Sequence, residues 1–172
     1  LMALGKTDEA RRLSDDWSKR MPDDGAFLRY SGDLAMSRGD VATANNLYQK
    51  VLTKSPENVD VLNNSANALW QLNQRTEALV QAEKAYALAP ADVDVLDTLG
   101  WMLAESGQLG RSLPLLQRAA ALRPSDPLLR YHLGRALLAD KQPESAKSAL
   151  EEALRLGDFP GSDEARRLLK TL

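Results

Sequence analysis

The side chains that could carry out catalysis in this sequence are few and poorly grouped. His132 is the only histidine and cysteine is absent, so a thiolate nucleophile, a disulfide and a thiolate metal site are excluded. A histidine acts as a base only with a partner in hydrogen-bond reach, and the sequence names no such partner. Asp94 and Asp97 are spaced for one helical turn, but paired carboxylates on an exposed helix are usually solvated charges. The sequence therefore predicts no enzyme activity, no cofactor and no metal.

Another group of side chains is suited to binding rather than to reaction. The amides of Asn63, Asn64 and Asn67 each offer a donor and an acceptor, which match the backbone of an extended peptide. Trp101 and Tyr131 could supply flat apolar contacts, which dominate the energetics of buried interfaces. The alternative is that the asparagines only face solvent and that Trp101 packs between helices.

Composition restricts the protein class and favours helix. The chain has 172 residues, of which 44% are hydrophobic, and this predicts a folded domain with a sizeable core. The net charge is −2, from 22 basic and 24 acidic residues that are intermixed, so no basic patch indicates nucleic acid. The chain is rich in Leu and Ala and lacks Ile, a balance that favours helices over strands.

Self-similarity with a period of 34 residues is the dominant feature. The period is set by four prolines: Pro22, Pro56, Pro90 and Pro124. Two residues after each proline comes a good helix N-cap: Asp24, Asn58, Asp92 and Asp126. Counted from the residue after the cap, position 8 is always small: Gly32, Ala66, Gly100 and Gly134. Position 15 is Gly5, Gly39, Asn73, Gly107 and Lys141, where Gly or Asn can end a helix in the left-handed conformation.

These positions resemble the tetratricopeptide repeat, a pair of antiparallel helices joined by a tight turn. The small residues at positions 8 and 20, the apolar residues at 4, 11 and 27 and the proline at 32 carry the resemblance. It implies an all-α, right-handed superhelix of helix pairs. The expected repeats are 25–58, 59–92, 93–126 and 127–160. Arg130 departs from the pattern, because it stands where a large apolar residue is usual.

The two ends of the chain are expected to differ from the full repeats. Residues 1–24 read as a partial repeat, mainly a second helix, with an apolar face left open for self-association. Residues 161–172 read as a capping helix from Ser162 to about Lys170, with Ala165, Leu168, Leu169 and Leu172 on its apolar side.

A finer resemblance concerns the stretch LDTLGWMLAESGQ, the stretch LLRYHLGRALL and the closing EARRLLKTL. These look like the repeat lipoproteins of bacterial PEP-CTERM systems, which are associated with exopolysaccharide loci. The resemblance implies a bacterial, envelope-anchored protein in the periplasm; without it, the cytoplasm remains open.

The tetratricopeptide-repeat resemblance also implies which residues face a concave binding groove. They are Arg29, Asp33, Asn63, Asn64, Asn67, Asp97, Trp101, Tyr131 and Arg135. The arginines could pair with carboxylates of a partner. The clamp for a terminal carboxylate known in the family needs lysines that are missing here, and only Asn64 and Asn67 match it.

The expected function is a non-catalytic scaffold that binds a protein or peptide in this groove. Direct membrane insertion and nucleic-acid binding are not expected. Two alternatives stay open: a substrate-presenting arm of a larger enzyme, and an architectural oligomerisation module.

Overall fold

The computed structural model describes residues 12, 16, 17 and 19–172. Within these residues there is no strand; nine α-helices are described from end to end, and Arg12, Asp16, Trp17, Lys19 and Arg20 are also helical. The helices are α1 (Gly25–Ser37), α2 (Val41–Lys54), α3 (Val59–Gln71), α4 (Arg75–Leu88), α5 (Val93–Glu105), α6 (Leu109–Leu122), α7 (Pro127–Ala139), α8 (Pro143–Leu156) and α9 (Ser162–Leu169). The predicted all-α class is confirmed.

The chain divides into an N-terminal unit, Leu1–Pro56, and a C-terminal unit, Glu57–Leu172. In the N-terminal unit α1 packs on α2. In the C-terminal unit α3 packs on α4, α5 on α6 and α7 on α8, and the first helices of these pairs also contact one another in the order α3, α5, α7. Most of the partial repeat expected at 1–24, including Gly5, falls on residues 1–11, 13–15 and 18, outside the described part.

The first helix of each pair begins where its cap predicts. The carboxylate of Asp92 accepts the backbone N–H groups of Asp94 at 3.0 Å and Val95 at 3.1 Å, and Asp24 also accepts two. Asn58 and Asp126 each accept one backbone N–H of the first turn. In the C-terminal unit the second helices follow a glutamine whose side chain makes no capping bond: Gln74, Gln108 and Gln142. First helices therefore have a local start signal, whereas these second helices depend more on packing.

The turn between the helices of a pair is left-handed in all four repeats. Gly39 and Gly107 have φ of 77° and 75°, and Asn73 and Lys141 have φ of 61° and 59°. Glycine and asparagine adopt this conformation at little cost, whereas a lysine pays a steric penalty there.

The two helices of a pair approach closely at position 8, which faces position 24 of the second helix. We call this contact the small–large pairing. A Cβ added to Gly32 would lie 2.5 Å from the Tyr48 ring, and one added to Gly134 would lie 2.8 Å from Cγ of Leu150. Gly100 is in the same position against Leu116, whereas Ala66 shares its core cluster with the small Ala82. Each pair thus places either a glycine opposite a large side chain or two alanines at this contact.

The C-terminal helix α9 closes the last pair. Phe159, Ala165, Leu168 and Leu169 join a cluster with Tyr131 and Leu150. Leu172, expected on the apolar side, is 38% exposed because the helix ends at Leu169. No described helix is long and apolar enough to span a bilayer.

Removing one cap should lower stability by a small, local amount. Asp92→Ala is expected to cost about 1 kcal/mol of unfolding free energy, because two amides at the start of α5 lose their acceptor. Urea denaturation followed by circular dichroism measures this. The matched control is Gln74→Ala, because Gln74 precedes α4 without a side-chain capping bond and should change stability little. Equal losses in the two variants would contradict the assigned role of the cap.

Candidate functional site

A row of side chains crosses the first helices of the C-terminal unit at position 9. Asn67 lies on α3, Trp101 on α5 and Arg135 on α7, and all three are partly exposed. Because neighbouring first helices contact each other and the residues share one repeat position, the three lie on the same face. We call this surface the first-helix face.

On α3 the asparagines are divided between the core and the surface. Asn67 donates from Nδ2 to the backbone oxygen of Asn63 at 3.2 Å and to Oγ1 of Thr98 on α5 at 3.3 Å. Asn63 is buried, and its Oδ1 has no hydrogen-bond partner. Asn64 is partly exposed. Of the three, Asn64 and Asn67 are partly exposed, whereas Asn63 is buried.

Asp97 is paired rather than solvated. Nδ1 of His132 on α7 lies 2.8 Å and 2.9 Å from the two carboxylate oxygens of Asp97 on α5. An ionised carboxylate only accepts, so Nδ1 carries the proton of this bond. The His132 ring also stacks on Trp101, with ring centroids 4.4 Å apart and an interplanar angle of 26°. This interaction holds Trp101 from one side and reduces the freedom that binding would have to remove.

Tyr131 is buried under the C-terminal segment. Its ring lies 5.3 Å from that of Phe159, and a Cβ on Gly161 would approach the ring to 2.9 Å. Burial raises the pKa of the Tyr131 hydroxyl above its ordinary value, although a hydrogen bond from Arg135 opposes this. The aromatic contact expected of Tyr131 is therefore made within the protein.

Arg135 is held between two carboxylates. Nη1 lies 2.5 Å from Glu164 on α9, and Nη2 lies 3.0 Å from Glu105 on α5. Its guanidinium carbon also lies 5.1 Å from the centroid of Trp101. Burial disfavours the charged guanidinium, but the Tyr131 hydroxyl and the two carboxylates more than compensate and raise the pKa of Arg135. Arg135 was expected to bind a carboxylate of the partner, but it is already paired with the carboxylates of Glu105 and Glu164.

In the N-terminal unit, Asp33 is exposed and accepts a hydrogen bond from the hydroxyl of Tyr48 at 2.8 Å. Arg29, one turn earlier on α1, is partly exposed. These two predicted groove residues thus lie on the first helix of their own unit.

Sequence reasoning missed the partners of three residues. It gave no partner to His132, left Asp97 as an open charge, and did not consider Glu105 or Glu164 near Arg135. Asp97 and His132 are 35 residues apart, which is one repeat of 34 residues plus one, and this spacing could have indicated that they pair.

Asp94 is also paired, with Arg123 at 2.8 Å. Among the described residues, no group of three or more acidic or histidine side chains could hold a metal ion.

The helix pairs, their caps and their turns define an α-helical repeat protein with a polar and aromatic face on its first helices. The family model of the tetratricopeptide repeat matches residues 35–101 and 103–172. The chain belongs to the tetratricopeptide-repeat family.

Solved structures support the same fold. Residues 41 to the end of MamA from Desulfovibrio magneticus RS-1 align with a TM-score of 0.75 and 24% identity, covering 90% of this chain and 88% of that one. YrrB, described as a TPR protein with an unusual peptide-binding site, aligns with a TM-score of 0.74 and 19% identity, covering 100% and 87%. A thermophilic TPR protein of Thermus thermophilus, TTC0263, aligns with a TM-score of 0.72 and 21% identity, covering 84% and 79%. No curated protein sequence matches the chain.

Proposed function

We propose that this protein is a non-catalytic scaffold that binds an extended protein segment along the first-helix face of its C-terminal unit. The observation that carries the proposal is the row formed by Asn67, Trp101 and Arg135. It combines a backbone-matching amide, a partly exposed indole and a charge on neighbouring helices. Membership of a repeat family whose members generally act by holding other proteins supports it.

Asn67 and Trp101 contribute different parts of recognition, whereas Arg135 is paired with Glu105 and Glu164 beside them. Asn64 can exchange hydrogen bonds with a main chain, whatever its sequence, and Oδ1 of Asn67 can accept one while its Nδ2 donates within the protein. Trp101 supplies apolar area, and its contact with His132 positions it before a partner arrives. Arg29 and Asp33 lie in the N-terminal unit and are proposed as groove residues of that unit by itself. In the C-terminal unit, Asn63, Asp97 and Tyr131 are proposed in supporting positions.

The test selects phage-displayed random dodecapeptides on the intact chain and then measures their affinity for a triple variant. Combined Asn64→Ala, Asn67→Ala and Trp101→Ala changes should weaken binding by about tenfold or more, because the main-chain contacts and the aromatic anchor are both lost. Fluorescence anisotropy with synthetic peptides measures the affinity, and circular dichroism monitors helicity and melting.

The matched control combines Val80→Ala, Lys84→Ala and Gln117→Ala, three exposed residues on the second helices α4 and α6. Peptide affinity should be unchanged in this control. Selected peptides that bind the first variant as tightly as the wild type would show that the first-helix face is not the site.

The resemblance to envelope repeat lipoproteins supports a finer proposal, that the partner is encountered in the bacterial envelope during exopolysaccharide or protein-sorting assembly. Fractionation of source cells with an antibody to this chain tests the location. Recovery in the cytosolic fraction would contradict it.

A further inference from the structure

A small cavity lies beside Trp101 on the first-helix face. It has a volume of about 290 Å³ and lies between α5, α7 and α9. Its apolar lining includes Trp101, Ala104, Leu138 and Leu168. Glu105, Arg135 and Glu164 provide its charged groups. The cavity thus combines an apolar lining with a charged rim.

The charges of the cavity do not balance. Arg135 is the one cation among the described residues that line it, and it faces the carboxylates of both Glu105 and Glu164. One negative charge is therefore left uncompensated. The side chains of Glu105 and Glu164 remain 35% and 38% exposed, so an incoming group can reach them.

We propose that this cavity binds a lysine or arginine side chain of the partner segment, and that Arg135 is an internal cation that competes with it. This inference rests on the proposed function and adds that the bound segment carries a positively charged side chain at this cavity. It reverses the sequence-based expectation for Arg135, because a carboxylate entering here would meet two carboxylates already in place.

The physical fit concerns both parts of a basic side chain. Its methylene stem can pack on Leu138, Leu168 and Ala104, as long cationic side chains do on apolar surfaces. Its charged end can donate to Glu105 and Glu164, and where it displaces Arg135 it can replace the cation–π contact of Arg135 with Trp101. Because both carboxylates are partly solvated, the preference should be modest and should weaken with added salt.

The probes are N-acetyl-arginine amide and N-acetyl-lysine amide, with N-acetyl-glutamine amide as the neutral control. The chain has three tryptophans, so the indole N–H of Trp101 gives one of three assignable cross-peaks in a ¹⁵N correlation spectrum. Titration of the intact chain should move this peak saturably with the two cationic probes and not with the neutral one.

Two variants should change the affinity in opposite directions. Arg135→Gln should tighten binding of the arginine probe by about threefold to fivefold, since the competing cation is gone. The double change Glu105→Gln and Glu164→Gln should weaken it by about tenfold. Glu144→Gln with Glu151→Gln removes the same charge from exposed positions on α8 and should have little effect. A gain of affinity cannot arise from misfolding, so Arg135→Gln keeps the test decisive.

The inference would be overturned if the neutral probe bound as tightly as the cationic probes. It would also be overturned if the Arg135→Gln chain bound the arginine probe more weakly than the wild type does. In that case the proposed function still stands if peptides selected on the chain depend on Asn64, Asn67 and Trp101. If the amide probes behave as expected but no peptide depends on those three residues, the extended-segment function fails and only a basic side-chain site remains.

Discussion

Replacing Gly134 with valine is expected to lower the free energy of unfolding by about 3 kcal/mol. A Cβ at this position would lie 2.8 Å from Cγ and 2.9 Å from Cδ2 of Leu150, and 3.4 Å from the backbone oxygen of Ala146. Leu150 is fully buried, so it has little room to move away. Helices α7 and α8 must separate to admit the side chain. Urea denaturation of the intact chain measures the loss.

The matched control is Gly110→Val, in the first turn of α6. A Cβ there meets nothing within 4 Å, so stability should change by less than about 0.5 kcal/mol.

A double-mutant cycle then tests the small–large pairing between Gly134 and Leu150 itself. Gly134→Ala and Leu150→Ala together should cost less than the sum of the single changes by about 1 kcal/mol or more, because the pair then resembles Ala66 and Ala82. Additive costs would contradict the small–large pairing.

Replacing Phe159 with alanine is expected to release α9 from the last helix pair, at a cost of about 3 kcal/mol in the stability of that helix. Phe159 is buried, contacts the Tyr131 ring and precedes the helix that carries Glu164. Without it, the apolar contacts of α9 with this cluster are reduced to those of Ala165, Leu168 and Leu169. Limited trypsin digestion should then cut rapidly at Arg166 and Arg167.

The control for this prediction is Leu172→Ala, which removes an exposed leucine from the same end of the chain. Its digestion rate should match that of the wild type. Slow digestion of the Phe159→Ala chain would mean that α9 stays docked by other contacts. Because α9 also supplies Glu164, its release should weaken binding of the cationic probes.

The helices could be predicted from the sequence because their signals are local. Asp24, Asn58, Asp92 and Asp126 each satisfy amides within three residues, so the chain itself specifies where α1, α3, α5 and α7 begin. The left-handed turns follow from Gly39, Asn73 and Gly107 in the same way. Lys141 adopts this turn without a favourable residue type, and only the repeat position predicted it.

The candidate site was harder to predict because its interactions connect different repeats. Asp97 pairs with His132 across 35 residues, and Arg135 reaches Glu105 across 30 and Glu164 across 29. A repeat pattern shows which positions share a face, but it does not show which charges neutralise each other. The predicted groove residues all lie on first helices, as the repeat positions require. Which of them form ion pairs and hydrogen bonds, and with which partners, required the three-dimensional structure.

The small–large pairing between positions 8 and 24 has a consequence for folding. Repeats of similar sequence on one polypeptide risk mispairing during folding, since a first helix can meet the second helix of another repeat. If α3 met α6, the methyl group of Ala66 would collide with Leu116. If α5 met α4, Gly100 would face Ala82 and leave a void. Shape alone thus disfavours the pairing of α3 with α6 and of α5 with α4 before any of the polar contacts form.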